Sequence, residues 1–208
     1  MNFESLIFDI DGTLWDSRAL VAEGYNAQLE KEGLQHLFVN PDILATVFGK
    51  TMTEIANILL AELPEADRYP TLERCMASED VHLAKYASEE IAYPGVKKTL
   101  EELSKKHRLF IVSNSQSGYP QLIIEKMGLE ALIQGHLCFG DTGTCKGETI
   151  LRLMREHDIS SACYIGDTLG DQEAADYAGI PFVHCTFGFG QAEHCIAAVD
   201  SFDELLNL

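Results

Sequence analysis

From residue 94 onward, short unbroken runs of apolar residues alternate with segments of helical periodicity, and this alternation constrains the fold more than any other feature. Runs of this kind predict strands that are buried on both faces, as in parallel sheets covered by helices. A further run, residues 6–8, stands near the start of the chain, well before the others. We therefore predict an α/β fold with a doubly wound, Rossmann-like parallel sheet.

The alternation also sets the expected order of strands and helices, with glycine, proline and capping residues marking their ends. The predicted strands are residues 6–8, 109–112, 135–139, 162–165 and 181–185. The predicted helices around them are residues 96–106, 119–127, 147–157, 170–178 and 202–206.

Residues 17–88 separate the first strand from the others and carry helical signals only. Asn40-Pro41 joins an N-cap residue to a proline suited to the first helical position, and Thr51 with Glu54 matches a capping box. The predicted helices here are residues 18–31, 52–63 and 71–86, with a short one between Asn40 and Gly49. We predict an α/β core domain formed by residues 1–16 and 89–208, and a helical domain, residues 17–88, inserted after the first strand.

Composition limits the classes of partner. The 208 residues carry a formal net charge of −18, which argues against nonspecific binding to nucleic acid or to an anionic membrane surface. No apolar run is long enough for a membrane span, and the N-terminus lacks the basic start of a signal peptide. The six cysteines form no C-x-x-C pair, so we predict a reduced, cytoplasmic protein in which Cys138, Cys163 and Cys185 are small buried hydrophobes.

The first apolar run leads into two carboxylates, Asp9 and Asp11, followed by Gly12 and Thr13. Open parallel sheets bind their ligands at the carboxyl ends of the strands, which is where these acids are expected to lie. Two crowded carboxylates repel each other unless a cation or a proton intervenes. A carboxylate can act as a nucleophile toward phosphorus, and its neighbour can then transfer a proton.

Other polar residues follow the later predicted strands. Because the carboxyl ends of parallel strands share one edge of the sheet, these side chains are expected to meet in one crevice. The carboxylates suit an oxygen-ligated Mg²⁺, while the hydroxyl, amide and ammonium groups suit phosphoryl oxygens. The residues concerned are Ser113, Asn114, Lys146, Asp167 and Asp171.

Each of these residues also has an ordinary structural interpretation when taken singly. Ser113 and Asn114 suit a turn, and a lysine such as Lys146 is usually solvated. Asp167 and Asp171 suit an N-cap and the first turn of a helix. Their order after successive strands favours a shared site over separate structural roles.

With these residues in view, the chain resembles hydrolases of the haloacid dehalogenase superfamily, in the phosphoglycolate phosphatase-like group. The run DIDGT matches the family's first motif, Ser113 the second, Lys146 the third, and GDTLGD at residues 166–171 the fourth. The resemblance covers essentially the whole chain, and the helical insertion corresponds to the family's cap domain.

The resemblance implies a role for each matched residue. Asp9 is the expected nucleophile and a Mg²⁺ ligand. Asp11 is the expected general acid and base, and it offers its backbone carbonyl to the metal. Asp167 is expected to ligate the metal and Asp171 to support it. Three residues are expected to hold the phosphoryl group: Ser113, Asn114 and Lys146.

Three other functional classes fit the sequence less well. The run Gly188-Phe189-Gly190 lacks the third glycine of a dinucleotide-binding loop, since Glu193 stands at that position. A signalling receiver domain needs no large helical insertion. A true dehalogenase needs no second acid at the position of Asp11.

The sequence therefore predicts a Mg²⁺-dependent phosphatase that acts on a small phosphorylated metabolite through an aspartyl-phosphate. A sugar-phosphate mutase, a pyrophosphatase and a non-catalytic regulatory protein remain alternatives. Mutases of the family carry Gly-x-Ser-Arg in a cap loop, where this chain has Gly49-Lys50-Thr51-Met52 without the arginine. Lys50 is the predicted cap contact for an anionic leaving group. Substrate identity and oligomeric state do not follow from the sequence.

Overall fold

The computed structural model describes residues 3–208. The chain divides into two compact units: one ends at Asp16 and resumes at Ala92, and the other runs from Ser17 to Ile91. The sequence predicts the second junction after residue 88; the helical unit instead includes a single-turn 3₁₀ helix, Glu89–Ile91, before the core resumes.

The helical unit contains four α-helices among its described residues. They are α1 (Arg18–Lys31), α2 (Pro41–Ala45), α3 (Met52–Leu59) and α4 (Glu65–Tyr86). The predicted caps are present, because the Asn40 side chain accepts a hydrogen bond from the backbone of Ile43, and Thr51 and Glu54 form a capping box. Helices α1 and α4 pack closely at Gly24, where an added Cβ would lie 2.7 Å from the Cα of Glu79.

Two helix bounds in this unit were predicted wrongly. Helix α4 begins at Glu65, and Pro70 lies inside it, whereas the prediction started the helix after that proline. Pro70 is the sixth residue of the helix and removes one backbone donor, yet the helix continues through it. The Arg74 side chain donates to the Pro70 carbonyl at 2.9 Å. Helix α3 ends at Leu59, a few residues before the predicted end at residue 63, because the chain turns ahead of Pro64.

The core unit is built on a six-stranded sheet in the order β3-β2-β1-β4-β5-β6, and every neighbouring pair is parallel. The order runs outward in both directions from the pair β1 and β4, which is the doubly wound arrangement that the alternation predicts. The strands are β1 (Ser5–Phe8), β2 (Arg108–Ser113), β3 (Ile133–Cys138), β4 (Ala162–Gly166), β5 (Phe182–Cys185) and β6 (Ala197–Val199).

Strand β1 lies at the centre of the sheet. Ile7 is paired with Phe110 on one side and with Tyr164 on the other, and all three are fully buried. Burial on both faces explains why the strand sequence is continuously apolar instead of alternating. The register brings the carboxyl ends of β1, β2 and β4 to the same edge.

Helices cover the sheet of the core unit. They are α5 (Val96–Leu103), α6 (Tyr119–Met127), α7 (Phe139–Thr142), α8 (Lys146–Glu156) and α9 (Leu169–Ala178). Gly128 and Gly179 end α6 and α9 with positive φ angles of 62° and 69°, as predicted from their positions. The short elements α7 and β6 were not predicted, because four and three residues are too few to show a period.

The last helix of the chain, Phe202–Asn207, is a 3₁₀ helix. Among the described residues, none of the helices has both the length and the apolar content to cross a membrane.

Candidate active site

Strands β1 and β4 deliver two buried carboxylates to the same edge of the sheet. Asp9 follows β1 directly, and its backbone N–H donates to the Ile165 carbonyl at 2.9 Å, which continues the ladder past the end of the strand. Asp167 follows β4. Both side chains are buried.

Lys146, the first residue of α8, places its ammonium between two of the carboxylates. Its Nζ lies 2.8 Å from Oδ1 of Asp9 and 2.6 Å from Oδ1 of Asp171. Burial opposes the charged form, but the carboxylates of Asp171 and Asp9 raise the pKa of Lys146 well above its usual value. The ammonium also lies 5.8 Å from the ring centroid of Tyr164, a weak cation–π contact. The lysine is therefore a fixed positive charge beside Asp9.

Asp171 has two roles, one for each carboxylate oxygen. Oδ1 accepts from Lys146, and Oδ2 accepts from the backbone N–H groups of Asp167 at 3.1 Å and Thr168 at 2.9 Å. Oδ2 also accepts from the Thr168 hydroxyl at 2.7 Å, which completes the capping box that starts α9. Burial acts to raise the pKa of Asp171, but Lys146 and these donors hold it below the usual value.

Asp167 has only one of its two oxygens satisfied within the described chain. Oδ2 accepts from the backbone N–H of Phe189 at 2.6 Å. Oδ1 is buried and has no hydrogen-bond partner among the described residues. Glycines stand against this side chain: a Cβ at Gly12, where φ is +89°, or at Gly188 would collide with the Asp167 carboxyl group. The two glycines therefore leave the room that the Asp167 carboxyl group occupies.

The electrostatic balance of the cluster is negative. Burial, together with the charge of Asp171, raises the pKa of Asp9 to about 7 in spite of Lys146. Burial and the charges of Asp171 and Asp9 raise the pKa of Asp167 to about 8. Three carboxylates with one ammonium would be more stable with a further positive charge.

The cluster can hold a metal ion. Asp9, Asp167 and Asp171 each offer an oxygen, and these oxygens lie within 4.8 Å of one another. The donor set consists of oxygen alone, which suits a hard divalent cation. The orphan oxygen of Asp167 is the atom that such an ion would satisfy.

Asp11 lies outside this trio and has different partners. Its Oδ1 accepts from the indole N–H of Trp15 at 3.0 Å and from the hydroxyl of Tyr119 at 2.8 Å. The side chain is half-buried, whereas Asp9 is buried. The two acids are one residue apart in sequence, but the structure gives them separate environments.

Strand β2 supplies the predicted hydroxyl and amide. Ser113 is the last residue of β2 and is buried, and its Oγ accepts from the backbone N–H of Ser115 at 3.3 Å. Asn114 follows and is half-buried. Both lie at the same edge of the sheet as Asp9.

Lys50 belongs to the helical unit. It is exposed and stands between Gly49 and the capping box of α3. Hydrogen bonds from Thr51 lower the pKa of Glu54, and the positive charge of Lys50 lowers it further. The predicted contact of Lys50 with a substrate stays a prediction.

Sequence reasoning missed the groups that orient the acids. Trp15 and Tyr119 donate hydrogen bonds to Asp11, but no sequence pattern indicated this role. An aromatic residue near an apolar segment is usually a core residue. The backbone N–H of Phe189, which donates to Asp167, lies in the run Gly188-Phe189-Gly190 that does not match a dinucleotide-binding loop. The two glycines of this run could have indicated a close approach of the backbone to the site. The run Thr168-Leu169-Gly170-Asp171 has the spacing of a capping box and could have indicated how Asp171 is held.

Comparison with known proteins agrees with this geometry. Residues 6–185 match the haloacid dehalogenase-like hydrolase family. The phosphoglycolate phosphatase of Agrobacterium fabrum is 30% identical over 193 residues, covering 88% of this chain and 80% of that protein. The phosphoglycolate phosphatase of Caulobacter vibrioides is 26% identical over 195 residues, covering 91% and 81%.

Solved structures share the fold. A haloacid dehalogenase-like family hydrolase from Streptococcus pneumoniae superposes with a TM-score of 0.84 at 19% identity, covering 99% of this chain and 97% of that one. A protein from Haemophilus somnus, described as a predicted phosphoglycolate phosphatase, gives 0.83 at 23% identity and covers 100% and 98%. The motif order, the sheet topology and these matches lead to one assignment: the chain belongs to the haloacid dehalogenase-like hydrolase family.

Proposed function

We propose that this chain is a Mg²⁺-dependent phosphatase that hydrolyses a small phosphate monoester, such as phosphoglycolate, through an aspartyl-phosphate on Asp9. One observation carries the proposal: the buried Asp9 carboxylate lies 2.8 Å from a fixed ammonium and belongs to a trio of acids whose oxygens lie within 4.8 Å of one another. Family membership and relatives named phosphoglycolate phosphatase make the chain a phosphoric monoester hydrolase.

The metal-binding part of the proposal uses the oxygen donors at the strand ends. Asp9 and Asp167 would hold Mg²⁺ through their side chains, and Asp11 would do so through its backbone carbonyl. Asp171 supports the site, because its oxygens already accept from Lys146 and from the start of α9. When bound, Mg²⁺ supplies positive charge that offsets the carboxylates and the phosphoryl oxygens.

The first chemical step is attack by Asp9. An Asp9 oxygen donates its electron pair to phosphorus as the bond from phosphorus to the leaving oxygen breaks. Asp11 gives its proton to that oxygen, so the alcohol leaves neutral and Asp11 becomes a carboxylate. Ser113, Asn114 and Lys146 hold the phosphoryl oxygens in place.

The second step restores the enzyme. Asp11 takes a proton from water as the water oxygen bonds to phosphorus. The bond between phosphorus and Asp9 breaks, and its electron pair returns to the carboxylate. Inorganic phosphate leaves, and Asp11 is protonated again for the next cycle.

The substrate class and compartment are also part of the proposal. A second negative charge on a substrate such as phosphoglycolate would meet Lys50 of the helical unit. The free cysteines among the described residues suit a reducing compartment such as the cytoplasm.

The test compares turnover of phosphoglycolate and p-nitrophenyl phosphate with Mg²⁺ and with a chelator. We expect turnover with Mg²⁺ alone and none in Asp9→Asn. Rapid acid quench followed by mass spectrometry should find a phosphoryl group on the peptide containing Asp9. Absence of turnover of any phosphate monoester under both conditions would refute the proposed function.

A further inference from the structure

Two buried aromatic side chains donate hydrogen bonds to the same oxygen of Asp11. The indole N–H of Trp15 lies 3.0 Å from Oδ1, and the hydroxyl of Tyr119 lies 2.8 Å from it. Trp15 is fully buried and Tyr119 is 3% exposed, so neither donor competes with bulk water for its partner. Two donors from different parts of the core therefore converge on Oδ1 of Asp11.

Separate parts of the core hold the two donors. Trp15 belongs to the tight turn after β1, where its carbonyl accepts from the backbone N–H of Gly12 at 3.0 Å. Tyr119 is the first residue of α6, after Gly118 with φ of +88°. The two rings meet edge to face, with centroids 6.1 Å apart. A packed pair of rings holds both donors in a fixed direction.

A carboxylate oxygen has two lone pairs suited to hydrogen bonds. The two donors fill both of these positions on Oδ1. A proton on Oδ1 would displace one of the donors, whereas a proton on Oδ2 leaves both bonds intact.

We propose that Trp15 and Tyr119 are positioning residues that restrict the transferable proton of Asp11 to Oδ2. The inference rests on the proposed function, in which Asp11 protonates the leaving oxygen. In that step the Oδ2–H bond breaks and its electron pair stays on Asp11. The proton joins the leaving oxygen as the bond to phosphorus breaks.

Removal of one donor should impair proton delivery and little else. In Tyr119→Phe the ring stays, but one lone pair of Oδ1 becomes available to the proton, and the carboxyl group loses one restraint on its orientation. We expect kcat/KM for an alkyl monoester such as phosphoglycolate to fall about tenfold. This loss is smaller than the loss expected when the general acid itself is removed, because Asp11 is still present. For p-nitrophenyl phosphate, whose leaving group needs little protonation, we expect a change of less than about twofold.

The kinetic experiment compares Tyr119→Phe and Trp15→Phe with Asp11→Asn and with a matched control, Tyr177→Phe, which removes an exposed hydroxyl from the same unit. The control should behave as wild type with both substrates. The proposal is supported if Tyr119→Phe and Trp15→Phe lose more activity on phosphoglycolate than on p-nitrophenyl phosphate, with a smaller difference than in Asp11→Asn. Equal losses on both substrates in the aromatic variants, or no loss on either, overturn it.

A second measurement does not depend on turnover. Trp15 is the only tryptophan, so its indole N–H gives one resonance in a ¹⁵N-labelled sample. A hydrogen bond to a carboxylate moves that resonance downfield, and we expect it to move back in Asp11→Ala. An unchanged resonance would show that the hydrogen bond is absent in solution and would overturn the inference even if an aromatic variant fails to fold.

Failure of the proposed function and failure of this inference would give different kinetic results. If Asp11→Asn loses the same activity on both substrates, the acid role of Asp11 fails, and the inference fails with it. If Asp11→Asn shows the leaving-group dependence and both aromatic variants match wild type, only the inference fails.

Discussion

Replacing Asp167 by asparagine should stabilise the metal-free protein at neutral pH, although it removes a proposed metal ligand. The carboxyl group is buried beside Asp171 and Asp9, and its pKa is raised to about 8 from 3.8. Asparagine keeps an oxygen for the Phe189 N–H and brings no charge. The substitution should therefore relieve a repulsion that only a cation or a proton relieves in the wild type.

The sign follows from proton binding. Between the unfolded pKa near 4 and the folded pKa near 8, the folded protein holds a proton on Asp167 that the unfolded chain has lost. The wild type without metal should therefore lose stability as pH rises through this range. Asp9, with its pKa raised to about 7, adds to this loss of stability in the wild type. It should add less in Asp167→Asn, because the neighbouring charge at residue 167 is gone. Lys146 and Asp171, shifted upward and downward from their usual values, titrate outside it.

The magnitude follows from the same shift. At pH 7 the shift in pKa between the unfolded and folded states lowers the free energy of unfolding of the wild type by at most about 4 kcal/mol. Local rearrangement around the charge reduces the expected gain from Asp167→Asn to roughly 2–4 kcal/mol. For a chain of this size that corresponds to a difference of roughly 4–16 °C in Tm.

The assay is thermal unfolding in a chelator at several pH values from about 5 to 8, repeated with Mg²⁺. The exposed Asp203→Asn is the matched control and should follow the wild type. Mg²⁺ should raise the Tm of the wild type more at the higher pH, because its ligands must be deprotonated, and should do little for Asp167→Asn. A lower stability of Asp167→Asn than of the wild type at pH 8 without metal, or the same pH slope in both proteins, would contradict the raised pKa of Asp167.

Three further substitutions test the proposed chemistry. Asp9→Asn should lower kcat by at least about a thousandfold, since it removes the nucleophile, and near-normal steady-state turnover would exclude a covalent intermediate. Asp11→Asn should cost about 10²–10⁴-fold in kcat/KM for an alkyl phosphate and less for p-nitrophenyl phosphate; equal losses would argue against the acid role. Lys50→Ala should raise KM for phosphoglycolate about threefold to tenfold and leave that for p-nitrophenyl phosphate nearly unchanged, as expected for one exposed charge contact. Matching effects on both substrates would show that Lys50 is not a specificity contact.

The arrangement of the sheet could be predicted because each strand is a separate apolar run. Once β1, β2 and β4 are parallel neighbours, Asp9, Ser113 and Asp167 must share an edge, whatever the details of packing. The sequence is less informative where a contact depends on the exact place of a helix or loop. Tyr119 reaches Asp11 only because α6 begins where it does, and no local pattern encodes that distance.

Helix bounds were predictable where capping and glycine agree with periodicity, as in α6 and α9. They failed at α4, where the prediction began at residue 71, because the helix continues through Pro70, a residue that usually interrupts a helix. The prediction for Lys50 depends on the helical unit's contact with a substrate, which neither residue spacing nor the fold of the core determines.

Asp171 ties the start of a helix to the charge balance of the site. One oxygen of this side chain caps α9, and the other holds Lys146 at the start of α8. Fraying of the first turn of α9 would withdraw a counter-ion from the lysine, so the local opening of this turn carries an electrostatic cost as well as the loss of a cap. We therefore expect hydrogen exchange of the amides at this helix start to depend on the ion pair between Asp171 and Lys146. Although helix ends usually open first, these amides should exchange slowly, as core amides do.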